Sequence, residues 1–345
     1  MTTYVLGAGA SLHAGYPLAS QLGSALFDWA VHKKPPGDWY RDCIELAHET
    51  YRGLGDLERI LTDLDDCPPG SPGAILSASQ RGNIRQSLLV SISEFFRALR
   101  QSPSPLYDRF AYERVRAGDV IVSFNYDLAC ERALRNAGLW EIDDGYGFRL
   151  GLNSIPHSVV RVLKLHGSIN WWGTIFNGMT GFFQGGPNAF PFRPVILFPD
   201  DFEFLCYPRG FSDPLCPSGN SKLAALPALI VPTRHKRFYT QTSAGREWEG
   251  FWDHIWLQAG QSLEASDRIV VIGYGMSPAD QKARRLLLEK SNRQAKITLV
   301  CGDKNALLHG EFKSRGFVEV EQFKRGLFEE FLGDQSSSRL DPGRE

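Results

Sequence analysis

The sequence predicts an α/β protein in which a parallel β-sheet is covered by helices. Runs such as VIVSF at 120–124 and RIVVI at 268–272 are apolar at nearly every position, which is typical of strands buried on both faces. Longer segments with helical periodicity lie between these runs. The first apolar run leads directly into the glycine-rich stretch GAGASLHAG, residues 7–15, and a strand followed by a glycine turn and a helix is a common unit of such sheets.

The individual elements follow from local patterns along the chain. Apolar, β-branched runs predict strands at 3–6, 120–124, 159–165, 229–231, 268–272, 296–301 and 317–320. Amphipathic periodicity predicts helices at about 17–33, 79–101, 126–137, 244–264, 278–291 and 303–315. Strands and helices therefore alternate over most of the chain, which favours parallel pairing of the strands.

These elements predict a single domain over residues 1–333 that carries two insertions. Residues 34–117 hold several helical stretches and no convincing strand, so we expect a helical insertion after the first strand and helix. Residues 173–226 are rich in Phe, Gly and Pro, and we expect this second insertion to fold over a pocket or a subunit face. The polar tail, 334–345, is expected to be frayed.

The composition excludes several classes of protein. The 345 residues carry a formal net charge of −1, so the chain has no overall attraction to nucleic acid or to an anionic membrane. No apolar run is long enough to span a bilayer, and the first residues lack the pattern of a signal peptide. The 6 cysteines include no C-x-x-C pair, which disfavours a zinc ribbon and indicates reduced thiols in a cytoplasmic protein. We therefore expect no metal, no membrane association and no direct nucleic-acid binding.

The glycine-rich stretch by itself leaves two interpretations open, a phosphate-binding turn and a turn without a ligand. Backbone N–H groups at the start of a helix can bind phosphate. The dinucleotide fingerprint G-x-G-x-x-G, counted from Gly7, places Leu12 where the third glycine is needed. About 20 residues further on, where that fingerprint needs an acidic residue, the sequence is an amphipathic helix. No Gly-Lys-Ser/Thr follows either, so the stretch fits neither the dehydrogenase nor the Walker pattern.

Two further segments place polar side chains directly after predicted strands. SFNYD contains Asn125 and Asp127, and LHG contains His166 beside a glycine. Ligands bind at the carboxyl ends of the strands in open α/β sheets, so these side chains are candidates for binding or acid–base chemistry. Asn125 or Asp127 could instead only cap the helix that follows.

A third segment, IGYGMSPAD at 272–280, also follows a predicted strand. Gly273 and Gly275 permit a close approach of the backbone to a ligand. Ser277, Pro278 and Asp280 fit the N-cap, N1 and N3 positions of a helix. We therefore expect Asp280 to act in capping, and its replacement by alanine to reduce stability more than turnover.

In this order the segments resemble the NAD-binding core of the sirtuins. The matching features are GAGAS, N-x-D followed by a helix that ends in Ala-Gly, His-Gly, and a strand that ends in a glycine turn. The versions SFNYD, LHGSINW and IGYGMSPAD, with LIVPT before the last, are most similar to the sirtuin-like NAD-hydrolysing proteins (NADases) of bacterial anti-phage defence. The resemblance extends over nearly the whole chain and implies a Rossmann-like, sirtuin-like core.

The chain departs from sirtuins that deacylate proteins at three places. Those enzymes follow the glycine turn with Gly-Ile-Pro-Asp-Phe-Arg, whereas here Gly15 and Pro17 are followed by Leu-Ala-Ser. In the interval that usually holds a zinc ribbon, the only cysteines are Cys206 and Cys216. The strand that usually ends in Phe-Gly-Glu and helps to bind an acyl-lysine peptide is LIVPT here. The features that bind NAD are present, while those that bind a protein substrate are missing or replaced.

The resemblance implies an enzyme that hydrolyses NAD+ to ADP-ribose and nicotinamide, with NAD+ as substrate, and that depletes NAD+ during phage infection. Asn125 would position water and His166 would relay a proton, so these two are the candidate catalytic residues. The candidate residues for binding NAD+ are Asp127 at the nicotinamide carboxamide; Gly7, Ala8, Gly9, Ala10 and Ser11 at the pyrophosphate; Gly273, Tyr274, Gly275 and Ser277 on the phosphate–ribose side of the adenosine; and Gly302, Asp303 and Asn305 at its ribose.

Two other functions remain open at this point. The first is an NAD-dependent protein deacylase or ADP-ribosyltransferase, and the second is a non-catalytic module that senses NAD or ADP-ribose for a partner. An NADase is toxic unless it is controlled, and the chain shows no recognisable sensor domain. We therefore expect control by homo-oligomerisation or by a separate defence partner, such as a ring ATPase or a short Argonaute.

Overall fold

The structure is a computed structural model that describes residues 1–100, 102–148, 157–174, 195–196, 225–230, 243–277 and 280–333. Its centre is a sheet of 6 strands that all pair in parallel, in the order β3-β2-β1-β7-β8-β9. The strands are β1 Thr2–Leu6, β2 Val120–Ser123, β3 Arg161–Lys164, β7 Arg268–Ile272, β8 Lys296–Val300 and β9 Val320–Gln322. The predicted parallel sheet is therefore confirmed.

The order of the strands determines where a ligand can bind. Counted within this sheet alone, the order is 3-2-1-4-5-6, so the chain leaves the central strand β1 towards one side and later returns to its other side. In the register of the sheet, Leu6 lies opposite Ser123 of β2 and Ile272 of β7. The residues that follow these three strands consequently meet at one edge, where open α/β sheets form a crevice.

Ten α-helices lie among the described residues. Their bounds are α1 Ala19–Lys33, α2 Trp39–Tyr51, α3 Leu57–Asp66, α4 Ala78–Leu99, α5 Pro105–Glu113, α6 Ala129–Asn136, α7 Ser243–Glu264, α8 Gln281–Arg285, α9 Asn305–Ser314 and α10 Phe328–Phe331. A turn of π-helix, Leu286–Lys290, extends α8. The described residues between α1 and β2 form helices and no strand. No described helix is long and apolar enough to cross a membrane.

A second sheet lies beside the first and was not predicted. Its 3 strands, β4 Gly167–Thr174, β5 Val195–Ile196 and β6 Ala225–Leu229, pair antiparallel in the order β5-β4-β6. The strand predicted at 229–231 for the main sheet is thus wrong in its placement, because β6 pairs with β4. The chain turns out of the main sheet at Gly167, which has a φ of 85°. The strand predicted at 317–320 begins only at Val320.

Most of the second predicted insertion, 173–226, and the whole tail, 334–345, lie outside the described residues, as does Val231 of the predicted strand 229–231.

The central strands of the main sheet are apolar and buried, as their sequences predicted. Ile121 and Val122 of β2 and Val270 and Val271 of β7 have no exposed surface. The central strands are therefore rigid supports for the residues at their carboxyl ends.

Candidate functional site

A cleft of about 1420 Å³ opens at the carboxyl ends of β1, β2, β7 and β8. It is the crevice that the strand order requires. Twelve of the predicted site residues line it: Ala8, Gly9, Ser11, Asn125, Asp127, His166, Gly273, Tyr274, Gly275, Ser277, Gly302 and Asp303. Gly7, Ala10 and Asn305 are not part of its wall. Polar residues from motifs that are far apart in the sequence are thus brought to one site.

The glycine-rich stretch is more compact than an open loop. Residues Ala8–Ala14 form a 3-10 helix directly after β1. The Gly7 amide donates to the Ile272 carbonyl at 3.0 Å, and the Gly9 amide donates to the Gly273 carbonyl at 2.9 Å. The Ala10 amide donates to the Gly7 carbonyl at 2.9 Å. The amides of residues 8–11 were expected to bind a pyrophosphate, and this is corrected for Gly9 and Ala10, whose amides donate to backbone carbonyls. The Ala8 amide lies at the start of the helix and therefore has no acceptor within that helix.

The hydroxyl of Ser11 connects two of the predicted site residues. Its Oγ donates to Asp127 Oδ2 at 2.7 Å and accepts from Asn125 Nδ2 at 3.0 Å. The hydroxyl of Tyr107 lies 3.0 Å from the same oxygen. Ser11 is buried, so its side chain is engaged by protein groups and holds the site together. The predicted contact of Ser11 with a pyrophosphate concerned its backbone amide, and it stays a prediction.

Asn125 is fixed by both hydrogens of its amide nitrogen. Nδ2 donates to the Gly7 carbonyl at 2.9 Å as well as to Ser11 Oγ, so the side chain bridges β2 to the glycine turn and does not cap α6. The group that Asn125 can offer to a ligand is consequently its carbonyl oxygen, an acceptor. Asp127 does support α6, because its Oδ1 accepts from the Ala129 amide at 3.0 Å.

Replacing Ser11 with alanine is expected to lower the free energy of unfolding by about 1–3 kcal/mol, because the buried Asp127 carboxylate and the Asn125 amide each lose a hydrogen-bond partner. Denaturant unfolding measures this change. The matched control is Ser24→Ala, since Ser24 is exposed on α1 and outside the cleft, and we expect a change within about 0.5 kcal/mol there. Equal stability of the two variants would contradict the role of Ser11.

His166 lies in the turn between β3 and β4 and contacts a carboxylate from another element. His166 Nε2 is 3.1 Å from Asp280 Oδ2, and both side chains are buried. The ring of Phe124 meets the imidazole edge to face, with centroids 5.1 Å apart, and stacks on Tyr274 at 4.2 Å. The contacts with Asp280 and Phe124 help to hold the imidazole at the wall of the cleft.

Asp280 has more partners than a cap alone requires. Its Oδ1 accepts from the Ala283 amide at 3.0 Å, so the N-cap of α8 is Asp280 and not Ser277 as predicted. Its Oδ2 accepts from the Tyr274 hydroxyl at 3.4 Å. Burial, together with the charge of Asp280, raises the pKa of Tyr274 well above its ordinary value, so this hydroxyl stays protonated and donates. The sequence indicated the cap but not the contact with His166.

A buried ion pair lies behind the cleft and was also missed. Lys164 Nζ lies 2.9 Å from Glu131 Oε1, and the two side chains are 0% and 1% exposed. The same ammonium donates to the Asp127 carbonyl at 2.5 Å. Burial raises the pKa of Glu131, while the charge of Lys164 acts in the opposite direction. Lysine within the apolar run VVRVLKL was the available signal, because a fully buried lysine requires a partner.

The far end of the cleft is formed by the turn after β8. Gly302, with a φ of 58°, and Asp303 line it. Asn305 does not, because its Oδ1 accepts from the Cys301 amide at 2.7 Å and its Nδ2 donates to the Phe323 carbonyl at 2.9 Å. The Asn305 amide therefore helps to close this turn, and its predicted contact with a ribose stays a prediction.

The helices between α1 and β2 supply one wall of the cleft, which the sequence did not indicate. The lining residues from this region are mainly apolar and include Leu57, Leu61, Ile92 and Phe96, and Tyr16 joins them from the segment before α1. Two acidic residues at the start of α3, Asp56 and Glu58, also line the cleft. Among the described residues, no three His, Cys, Asp or Glu side chains are grouped as metal ligands.

These features define a doubly wound α/β domain with a ligand cleft at the point where the strand order reverses. No family model and no curated protein matches the chain. Among solved structures, the chain is similar to a Sir2 homologue in complex with ADP-ribose, at 12% identity with a TM-score of 0.40, over 100% of this chain and 94% of the other. It is similar to a structure from work on the mechanism and regulation of Sir2 enzymes, at 13% identity with a TM-score of 0.38, over 98% of this chain and 93% of the other. It is also similar to a Sir2 mutant with a p53 peptide and NAD, at 11% identity with a TM-score of 0.33, over 98% of this chain and 93% of the other.

Proposed function

We propose that the protein is an NAD+ hydrolase that cleaves NAD+ to ADP-ribose and nicotinamide. The observation that carries the proposal is the position of Asn125 and His166. These residues come from two separate motifs, yet both line one cleft at the switch point of the sheet, and both are fixed by hydrogen bonds to buried groups. The resemblance of these motifs to the sirtuin core implies that Asn125 positions water and that His166 relays a proton.

The cleft suits NAD+ in size and in the distribution of charge. At about 1420 Å³ it exceeds the roughly 300–1000 Å³ of ordinary small-molecule pockets, which leaves room for a dinucleotide. Carboxylates of Glu58, Asp127 and Asp280 line the cleft, with Asp280 Oδ2 3.1 Å from His166 Nε2, and the nicotinamide ring of NAD+ is cationic. Lys304 lines the cleft beside Gly275, on the side proposed for the anionic phosphates.

In this proposal the residues of the chain perform two tasks in the cleavage. The bond between the nicotinamide nitrogen and the ribose carbon breaks, and its electron pair leaves with nicotinamide, as in glycoside hydrolysis through an electron-poor sugar. The Asn125 carbonyl oxygen accepts a hydrogen bond from a water molecule and thereby directs the water oxygen to the ribose carbon. His166 takes the proton that this water, or a ribose hydroxyl, must lose.

The test is release of nicotinamide from NAD+ and water by the purified protein, followed by chromatography. His166→Ala is expected to reduce the rate by at least about 100-fold, because general acid–base groups contribute on the order of 100- to 10,000-fold. Asn125→Ala is expected to abolish measurable release. The matched control is His32→Ala, because His32 is exposed on α1 and outside the cleft, and its rate should equal that of the wild type. Full activity of His166→Ala would show that the proposed proton relay is wrong.

The same assay separates the two other functions. Release that requires an acylated lysine peptide or another protein would assign a deacylase or ADP-ribosyltransferase in place of the hydrolase. Tight binding of NAD+ or ADP-ribose without turnover, both alone and with candidate partner proteins, would assign a sensor module.

We further propose that the cleavage serves to deplete NAD+ in anti-phage defence, under control of a homo-oligomer or a separate partner. The support for this role is the similarity of SFNYD, LHGSINW and IGYGMSPAD to defence NADases. The test is the NAD+ content of infected cells that carry the wild-type gene or the His166→Ala variant. A fall in NAD+ on infection is expected only with the wild type, and equal NAD+ in the two strains would contradict the defence role.

A further inference from the structure

We infer that Asp280 is a positioning residue for the reaction: it fixes the orientation and the tautomer of the His166 imidazole. The inference rests on the proposed function in one respect only, the assignment of His166 as the proton relay. The contact itself, 3.1 Å between His166 Nε2 and Asp280 Oδ2, is a property of the structure.

The carboxylate is immobilised before it meets the imidazole. Oδ1 is engaged by the Ala283 amide and Oδ2 by the Tyr274 hydroxyl, while the Asp280 amide donates to the Ser277 carbonyl at 3.0 Å. Tyr274 is itself held by stacking on Phe124. Oδ2 therefore has a fixed place at the wall of the cleft, which is what a group that orients a catalytic side chain requires.

The polarity of the contact determines which ring nitrogen can take up a proton. A carboxylate only accepts hydrogen bonds, so the nitrogen that faces Asp280 must carry a hydrogen. That nitrogen is Nε2, and a neutral His166 ring then has its lone pair on Nδ1. When the ring gains a second proton, the negative charge of Asp280 stabilises the imidazolium. Asp280 thus determines both the position of the base and the nitrogen that serves as the base.

Asp280 thus has two separable tasks, of which the sequence indicated only the cap. Oδ1 performs the capping of α8, and Oδ2 performs the positioning of His166. Serine and asparagine are both good N-cap residues, so either can replace the first task. The serine side chain is too short to reach His166. The asparagine side chain reaches it, but with Oδ1 accepting from Ala283 it presents an NH2 donor where the carboxylate oxygen was.

The experiment compares wild type, Asp280→Ser and Asp280→Asn by denaturant unfolding, by steady-state nicotinamide release and by 1H–15N NMR of the imidazole rings, with His166→Ala to assign the His166 signals. Asp280→Asn should unfold at nearly the same denaturant concentration as the wild type, since the cap is retained. Asp280→Ser also keeps the cap but leaves the buried Tyr274 hydroxyl without its acceptor, so its unfolding midpoint should be lower although the variant still folds. Each should lower kcat by about 100-fold with little change in KM, because a misplaced catalytic group costs on the order of 100-fold. In a His166→Ala background the same Asp280 substitutions should have no further effect on the rate.

The spectra supply a readout that needs no turnover. The wild type should show the Nε2–H tautomer of His166, and Asp280→Asn should show the Nδ1–H tautomer, because the asparagine NH2 turns Nε2 into an acceptor. If wild type releases nicotinamide and Asp280→Asn keeps the full rate, the inference is overturned while the proposed function stands. If the wild type releases none, the proposed function fails and the spectra decide: the Nε2–H tautomer supports the Asp280 contact, and the Nδ1–H tautomer overturns it.

Discussion

Replacing Lys164 with methionine is expected to lower the free energy of unfolding by about 3–5 kcal/mol, since it leaves the carboxylate of Glu131 buried without a compensating charge. The two side chains are 0% and 1% exposed, so water cannot take the place of the ammonium. The variant also removes the hydrogen bond from the Lys164 ammonium to the Asp127 carbonyl, and this bond supports the turn that carries Asn125. Denaturant unfolding at about pH 8 measures the loss.

The loss should become smaller as the pH falls. Burial raises the pKa of Glu131, and in the variant the opposing charge of Lys164 is absent, so the folded protein holds a proton on Glu131 that the unfolded chain releases. A group whose pKa is raised on folding stabilises the folded state at low pH, and this contribution is lost as the pH rises through the folded-state pKa. The difference from the wild type should therefore be smaller at about pH 5 than at about pH 8.

The control for this prediction is the double variant Lys164→Met/Glu131→Gln. It removes both charges, and the glutamine side chain can still reach the hydroxyl of Tyr146, which lies 3.5 Å from Glu131 Oε1. Replacing both members of a buried pair is often close to neutral, so most of the stability should return. A cost below about 1 kcal/mol for Lys164→Met at about pH 8, or no recovery in the double variant, would contradict an uncompensated charge as the cause.

Replacing Gly273 with alanine should lower the free energy of unfolding by at least about 3 kcal/mol, because two independent penalties add. Gly273 has a φ of 62°, in the left-handed region that favours glycine. A Cβ at this position would lie 2.1 Å from the Ala10 nitrogen and 2.4 Å from the Gly9 carbonyl carbon. The turn after β7 would have to move away from the glycine turn after β1, which would break the hydrogen bond from the Gly9 amide to the Gly273 carbonyl.

Alanine variants of two other glycines of the cleft allow the backbone penalty and the steric penalty to be measured separately. Gly302→Ala meets only the backbone penalty, because Gly302 has a φ of 58° and open space around its Cβ position, and should cost about 1–2 kcal/mol. Gly275→Ala meets neither, since its φ is outside that region and the nearest atom, Lys304 Cγ, would be 3.6 Å away, so we expect a change below about 1 kcal/mol. Thermal or denaturant unfolding of the three variants should give the order Gly273, Gly302, Gly275. An equal cost at Gly273 and Gly302 would show that the close approach of the two turns is unimportant.

The sequence predicted the strands of the main sheet best where burial is complete. β7 begins and ends at the predicted residues, and β2 and β8 each end one residue before their predicted ends. These strands are apolar on both faces, so their pattern does not depend on what packs against them. β4 was missed because GSINWWGT combines glycine and polar residues with tryptophan, and its partners β5 and β6 are distant in the sequence.

The candidate site was predicted from the residues that follow strands, and here local pattern was informative for a geometric reason. The carboxyl ends of parallel neighbours meet at one edge, so Asn125, His166 and Gly273 line one cleft. The same reasoning does not bring Asn305 to the wall of the cleft. Its position near the end of β8 does not show that both ends of its amide are bound to backbone groups of neighbouring segments.

By itself the sequence determined the parallel α/β architecture and the strand ends at which chemistry can occur, because hydrophobic periodicity and turn residues are local properties of a chain. Only the tertiary structure decided which polar groups become partners. The contacts of Asp280 with His166, of Ser11 with Asp127 and of Lys164 with Glu131 each join separate elements across the folded chain. Such pairs form only when buried polar groups must find partners after the sheet and helices have packed, and no local pattern encodes that choice.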